Sequence, residues 1–270
     1  MAPAFGQLPT PTNFLEKRDQ FNVRVTPATK QTPIPTGFFN LEIAGKKVSS
    51  GMMMVPGRLW VPWSEDGTTI KYNKVMIKAT GPDESEHPAA ERFAREFAEF
   101  REFTDMLEEK IRAAVAANPI SFFKKTVDPS CITVISSVED NDQYGASIAA
   151  KFNLLDKGTR ENFPASNIDT AFLDVVRKEE GVEFVPLALN EVRGGDVMAF
   201  VTSGAYLTFN IAKNPLDGKT TGLVRMHWPL TMAYRVGKGG KRRGDDSAAG
   251  EDAKALWQSD AAKDMLGGYL

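Results

Sequence analysis

Few residues in this chain have the types and spacing to do chemistry. Two histidines, His87 and His227, stand with a single cysteine, Cys131. A zinc site or a Cys–His nucleophile is poorly supplied by that set. The run Val236-Gly237-Lys238-Gly239-Gly240-Lys241 has glycines but no strand-to-helix context, so it does not read as a phosphate loop. Glu139, Asp140 and Asp142 could bind a divalent ion, although most such clusters are solvated loops. His227 lies on the polar side of an alternating strand, which suits a surface or groove residue better than a catalytic base. The expectation is no enzyme, no metal and no cofactor.

What remains is a basic strand surface interleaved with aromatics. Trp60, Trp63, Lys71, Tyr72, Lys74 and Lys78 fall in an early hairpin, and Tyr206, Arg225, His227 and Arg235 in a late one. Cations can track phosphates while flat rings stack on exposed bases, and single-stranded nucleic acid needs both. The competing reading is that Trp60 and Tyr72 belong to the core and the lysines are solvated decoration. The pattern as a whole favours nucleic-acid binding.

The elements that must position these residues centre on Val197 to Val236. Leu207, Phe209 and Ile211 alternate with Tyr206, Thr208 and Asn210. After the turn-rich segment from Lys213 to Lys219, Val224, Met226, Trp228, Leu230, Met232, Tyr234 and Val236 share one face of a long returning strand. Arg225, His227, Thr231 and Arg235 share the other. Alternation on both sides of a turn predicts a half-buried antiparallel hairpin with Trp228 in the core.

The 270 residues allow one large domain or two small ones, at 42% hydrophobic and 25% charged. No apolar run suggests a membrane span, the first residues lack a signal-peptide pattern, and a lone cysteine allows no intrachain disulfide. An intracellular, non-secreted protein that does not engage membranes is expected. The net charge of -2 hides an uneven distribution. A basic knot, Lys238, Lys241, Arg242 and Arg243, is followed by a segment in which Asp and Glu outnumber Lys.

Residues 1–36, with Pro9, Pro11, Pro27, Pro33 and Pro35, read as an extended arm holding at most a short strand at Phe21–Val25. Phe38 to Ile43 is a strand turning at Gly45. Met52 to Val55 is an apolar segment ending at Pro56-Gly57, and Arg58–Trp63 with Thr68–Ala79 makes a hairpin about an Asp-Gly turn. A helix follows Pro88 and stops at Asn118-Pro119, with Phe93, Phe97, Phe100, Leu107, Ile111 and Ala114 at helical spacing and Phe103 beside the stripe. Ile132–Ile135 and Tyr144–Phe152 read as strands. A shorter helix is expected from Ile168 to Glu180, capped by Ser166 and stopped by Gly181, and Val182–Leu189 leads into the late hairpin. Residues 237–255 read as a linker, and the end carries apolar Trp257, Met265, Leu266 and Tyr269.

This order of parts resembles the OB-fold single-stranded-DNA-binding proteins of short-tailed phages and large eukaryotic DNA viruses. The residues carrying the likeness are Phe38–Ile43, the helix from Ala89 to Ala117, and Gly194–Val236, with Gly195-Asp196-Val197, Tyr206 and Gly222-Leu223-Val224 placed as in the family's final hairpin. The resemblance implies a mainly β (α+β) protein built on an OB-like antiparallel barrel with one long amphipathic helix and a flexible C-terminal tail. Its parts would be a Pro-rich arm at 1–36, the barrel domain at 37–236 and a basic-then-acidic tail at 237–270. It implies coating of single-stranded DNA in replication or recombination, independently of sequence. The tail, through Trp257, Met265, Leu266 and Tyr269, would engage replication proteins, and self-association is left open. Two other classes stand beside it: a viral structural or assembly protein, and a metal-dependent nuclease using Glu139, Asp140 and Asp142.

Overall fold

The computed structural model describes residues 8–29, 34–48, 51–78, 90–141, 145–156, 161–179, 181–193, 196–203, 205–213 and 220–238. The tail residues Trp257, Met265, Leu266 and Tyr269 lie outside these, as do His87, Asp142 and the side chains of Glu139 and Asp140.

The chain begins with a short helix α1 (Pro11–Leu15) and strands β1 (Phe21–Pro27), β2 (Thr36–Ile43) and β3 (Lys46–Lys47). β4 (Gly51–Trp60), β5 (Thr69–Tyr72) and β6 (Val75–Lys78) follow, then the helices α2 (Ala90–Ala116) and α3 (Pro119–Phe123). The remaining strands are β7 (Ile132–Ile135), β8 (Val138–Asn141), β9 (Gly145–Phe152), β10 (Glu161–Pro164), β11 (Ala171–Lys178), β12 (Gly181–Pro186), β13 (Val197–Ser203), β14 (Ala205–Lys213), β15 (Thr220–His227) and β16 (Pro229–Gly237).

Five of these strands close a ring. β4 pairs antiparallel with β6, β6 with β9, and β13 with both β4 and β16. The circuit is completed by a parallel pairing of β9 with β16, Lys151 opposite Pro229 and Phe152 opposite Leu230. Numbered along the chain, the barrel strands run 1-2-3-5-4 and back to 1 with the third and fifth parallel, which is the circuit of an OB fold. The expected fold class is therefore the observed one. A second sheet, β1-β2-β14-β15-β7 with β3 on its edge, forms a half-barrel beside it. Its central hairpin, β14–β15, is inserted between the fourth and fifth barrel strands. The expected antiparallel hairpin forms there with its apolar residues on one face, Leu207 opposite Met226 and Phe209 opposite Val224.

The long helix forms where expected. Its sequence is rich in Ala, Glu and Arg and free of Gly and Pro, and it ends ahead of Asn118-Pro119. Phe97, Phe100, Phe103, Leu107, Ile111 and Val115 are buried along one side, so Phe103 belongs to the stripe. Each such side chain contributes roughly 1.5–3 kcal/mol on burial. The rings join the elements: Phe103 stacks on Phe14 at 5.1 Å, and Phe100 and Phe39 meet Trp228 at 6.0 and 5.8 Å.

Four expectations are corrected. The segment expected as an extended arm packs, over residues 8–29, into the core: Phe14 and Phe21 are buried, and the expected strand is β1. Pro56-Gly57 does not end a strand, because β4 runs through it. Gly57 opposes Met198 while Met54 opposes Phe200, so β4 bulges there, and a bulge is where a strand accepts proline. A Cβ on Gly57 would stand 2.6 Å from the Lys78 carbonyl oxygen, which leaves room only for glycine. The strand expected over Thr68–Ala79 is broken into β5 and β6, and β5 pairs with β10.

The fourth correction is the largest. The helix expected from Ile168 to Glu180 is strand β11, paired parallel to β16 and antiparallel to β12, and Gly181, at φ 141, follows a hairpin turn rather than stopping a helix. Phe172, Val175 and Val176 suit a strand between two neighbours, and that tertiary pairing overrides the local capping signals.

Candidate nucleic-acid interface

The late alternating stretch is two strands. It breaks at Trp228-Pro229, where the chain leaves the half-barrel sheet and enters the barrel. Val224, Met226, Trp228 and Leu230 all reach the main core, as the alternation predicts. Then Thr202 opposes Leu230 while Val201 opposes Met232, so Thr231 is an extra residue. The bulge swaps faces. Met232, Tyr234 and Val236 pack in a second cluster with Met53, Val175, Val197, Ala199 and Val201.

That swap separates the two arginines expected to contact phosphates. Arg225, on β15, is exposed. Arg235, on β16, is only 8% exposed. Its Nε donates to Asp174 Oδ1 at 3.0 Å and its Nη1 to Asp196 Oδ2 at 3.3 Å. The hydrogen bond to Asp174 leads the effects that hold its pKa above the ordinary value. Those donors are committed to two carboxylates, which removes Arg235 from the open basic face.

The other late residues gather. Tyr206 and His227 are cross-strand neighbours whose rings stack at 4.7 Å. His227 Nε2 and the Thr208 hydroxyl lie 2.9 Å apart. Burial, then the nearby charges of Lys151 and Arg225, push the His227 pKa down to about 4, so the ring is neutral at pH 7. Lys151 completes the group from the barrel. Its ammonium donates to the Tyr206 hydroxyl at 3.0 Å and sits 5.4 Å from the centre of that ring. A cation already resting on an aromatic face fixes both side chains before any ligand arrives.

The early residues lie along the same barrel strands. On β6, Val75 and Ile77 turn into the core while Met76 and Lys78 turn away from it. On β9, Ile148, Ala150 and Phe152 turn in and Ala149 and Lys151 away. The pairings set Trp60, Met76 and Ala149 in one cross-strand row. Trp60 is 50% exposed, with the Lys78 ammonium 5.9 Å from its ring centre. Trp60 is therefore a surface ring and not core.

Lys71 and Tyr72 stand on β5, in the connection between the first and second barrel strands, with Lys74 at its end; Tyr72 is 56% exposed. Trp63 instead packs against the core and bridges to Ile70. The Asp-Gly turn of this connection is held by the Asp66 carboxylate, whose hydrogen bonds from Ser64 and Thr68 pull its pKa down to about 2.

The structure thus brings Trp60 and Lys78 together, and Tyr206 and His227 together, and joins the two pairs along β9 through Lys151. Sequence reasoning missed Lys151. Its signal was weak, one lysine in Ala149-Ala150-Lys151-Phe152, and only the parallel seam with β16 brings it beside the late hairpin. Among the described residues no three Asp, Glu, His or Cys side chains gather as a metal site, and no helix is long and apolar enough to cross a membrane.

No family model matches the chain, and no curated protein matches it significantly. Among solved structures, the chain is similar to the single-stranded DNA-binding protein from bacteriophage Enc34, at 14% identity and a TM-score of 0.33. The match covers 84% of this chain and 98% of that one. The assignment of the barrel rests on its own strand circuit.

Proposed function

We propose that this protein binds single-stranded DNA without regard to sequence and without enzymatic activity. The observation that carries the reading is the line from Trp60 and Lys78 across β6 and β9 to Lys151, Tyr206 and His227. It sets Lys78 and Lys151 on the outward face of the second and third barrel strands, with Trp60 at the end of the first strand and Tyr206 and His227 on the hairpin that connects the fourth to the fifth. In OB folds that face and the first and fourth connections are where oligonucleotides lie. Stacking on each ring would contribute about 1–3 kcal/mol per base, and the cations would make binding salt-dependent. Arg235 is left out of this site; Arg225, Lys71, Tyr72 and Lys74 remain as flanking contacts, and Trp63 as a support for the first connection. We further place the chain with the single-stranded-DNA-binding proteins of phages and large DNA viruses, acting in replication or recombination, with the segment after Arg243 recruiting partner proteins.

A polarisation titration with single- and double-stranded oligonucleotides at two salt concentrations tests the reading. Preference for the single strand with a steep salt dependence is expected. Equal, weak binding to both would sink it. The second reading, an assembly protein, draws on strand β12, which lies at the edge of the eight-stranded sheet with Phe184 and Val185 exposed. Concentration-dependent self-association without DNA, lost on charging Val185, would favour that reading.

A further inference from the structure

Phe38 stands out on the half-barrel sheet. Its neighbours on β2, Gly37 and Phe39, are buried, and Phe39 packs edge-on to Trp228. Phe38 turns the opposite way and is 53% exposed, on a strand whose outward residues are otherwise polar: Thr36, Asn40 and Glu42. Among these outward residues Phe38 is the large apolar one, and it takes no part in the buried core.

Its position gives it a use. β14 pairs with β2 so that Tyr206 lies directly opposite Phe38, and with β15 so that Tyr206 lies directly opposite His227. Three flat side chains therefore occupy one cross-strand row, about 5 Å apart from strand to strand. Exposed cations flank the row on both sides, Arg24 on β1 and Arg225 on β15, with Lys151 reaching its centre. Within the described residues of β1, β2, β14 and β15, Glu42 is the acidic side chain on this face, and it lies two alternations from Phe38.

We infer that the outer face of the β1–β2 hairpin is a second contact surface for the same single strand, with Phe38 as a nucleobase platform and Arg24 as its phosphate contact. The inference rests on the single-strand-binding reading above and extends it beyond the barrel, since β1 and β2 precede the first barrel strand. The strand would cross β4, β6 and β9, pass over Lys151, Tyr206 and His227, and finish on Phe38. That path is roughly 25–30 Å along the surface at ordinary strand spacings. A site of that length sits within the range of about 4–16 nucleotides covered by one such fold.

The test is a length series of oligothymidylates, from about 4 to about 12 nucleotides, titrated by polarisation against the full chain and against Phe38→Ala, Phe38→Trp, Arg24→Ala and Trp60→Ala. The expected result is that affinity in the parent rises to a plateau. Phe38→Ala should lose about tenfold at the plateau length and much less with the shortest oligonucleotide, while Phe38→Trp keeps the plateau and is quenched by DNA. Arg24→Ala should reduce the salt slope by about 0.7 at the plateau length. Trp60→Ala should weaken every length. If the parent binds and Trp60→Ala weakens it while Phe38→Ala matches the parent throughout, the second surface is overturned and the barrel site stands. If no length binds the parent, the single-strand reading fails and this inference with it. Loss of self-association in Phe38→Ala, with DNA binding unchanged, would assign the ring to a protein contact and also overturn the inference.

Discussion

Arg225 and Arg235 stand on what reads as one alternating strand, and the molecule treats them in opposite ways. The first belongs to the half-barrel sheet, is exposed, and shares its face with Thr208, Tyr206 and His227. The second belongs to the barrel and is buried against Asp174 and Asp196. Between them come a change of sheet at Trp228-Pro229 and one inserted residue at Thr231. A side-chain period of two says which residues share a face only while the ladder is unbroken. The comparison teaches that a basic face must be counted separately on each side of a bulge.

The comparison can be broken most forcefully at its pivot. Trp228 is 2% exposed and meets Phe39 and Phe100. Trp228→Ala should lower stability by about 3–5 kcal/mol in denaturant titration, the usual range for a buried aromatic. An unchanged midpoint would mean that the two sheets do not share this core.

Arg235→Ala comes next. It removes the guanidinium that hydrogen-bonds both Asp174 and the buried Asp196, while Lys238 stays 4.0 Å from Asp174 and the Arg58 charge still acts on Asp196, so a loss of about 3 kcal/mol, the low end for a broken buried ion pair, is expected. The salt slope of single-strand binding, measured below the onset of unfolding, should not move. A fall in that slope would return Arg235 to the binding face.

The third effect is one of pH. His227 has its pKa lowered from 6.5 to about 4, chiefly by burial. The unfolded chain takes up a proton near pH 6.5 and the folded chain does not, so the contribution is complete above pH 6.5 and is lost as pH falls toward 4. It should amount to about 1–2 kcal/mol, since the ring is not fully buried. His227→Gln should flatten the stability profile over that window; parallel profiles would place the ring in water.

The smallest effect on the fold is Arg225→Ala, within about 0.5 kcal/mol as for most surface positions. Its signature is in binding: weaker affinity across sequences and a salt slope lower by about 0.7. Set beside Arg235→Ala, it should give the opposite result in both assays.

Much of the half-barrel sheet and of the long helix was legible because their signals are local. The alternation of Leu207, Phe209, Val224 and Met226 fixes the buried faces of β14 and β15, and the Phe stripe of α2 fixes its buried side. β11 was misread because Ser166, Asp169 and Gly181 imitate helix ends, while the partners that make it a strand, Met232–Arg235, are distant in sequence. Pro56 was misread because a proline stops a regular strand but fits a bulged one. On the candidate site, Trp60 and the Tyr206–His227 pair could be read from aromatic and basic spacing. Lys151 and Phe38 could not, since each gains its meaning from Tyr206, more than fifty residues away in sequence.

The parallel seam between β9 and β16 rests on two residue pairs, Lys151–Pro229 and Phe152–Leu230. Such a seam has an effect on how the protein is made. Strand pairings of this sequence separation pay their loop-closure entropy before any contact rewards it, so they form late and slowly. During synthesis the ring stays open until the chain has been extended through β16, and until then one edge of β13 and the Lys151–Phe152 end of β9 wait for their partner. Lys151, one of the seam residues, also reaches Tyr206 on β14. The platform for a ligand is thus assembled by the last long-range step of folding, and a partly made chain would expose sticky strand edges well before it offered a finished binding face.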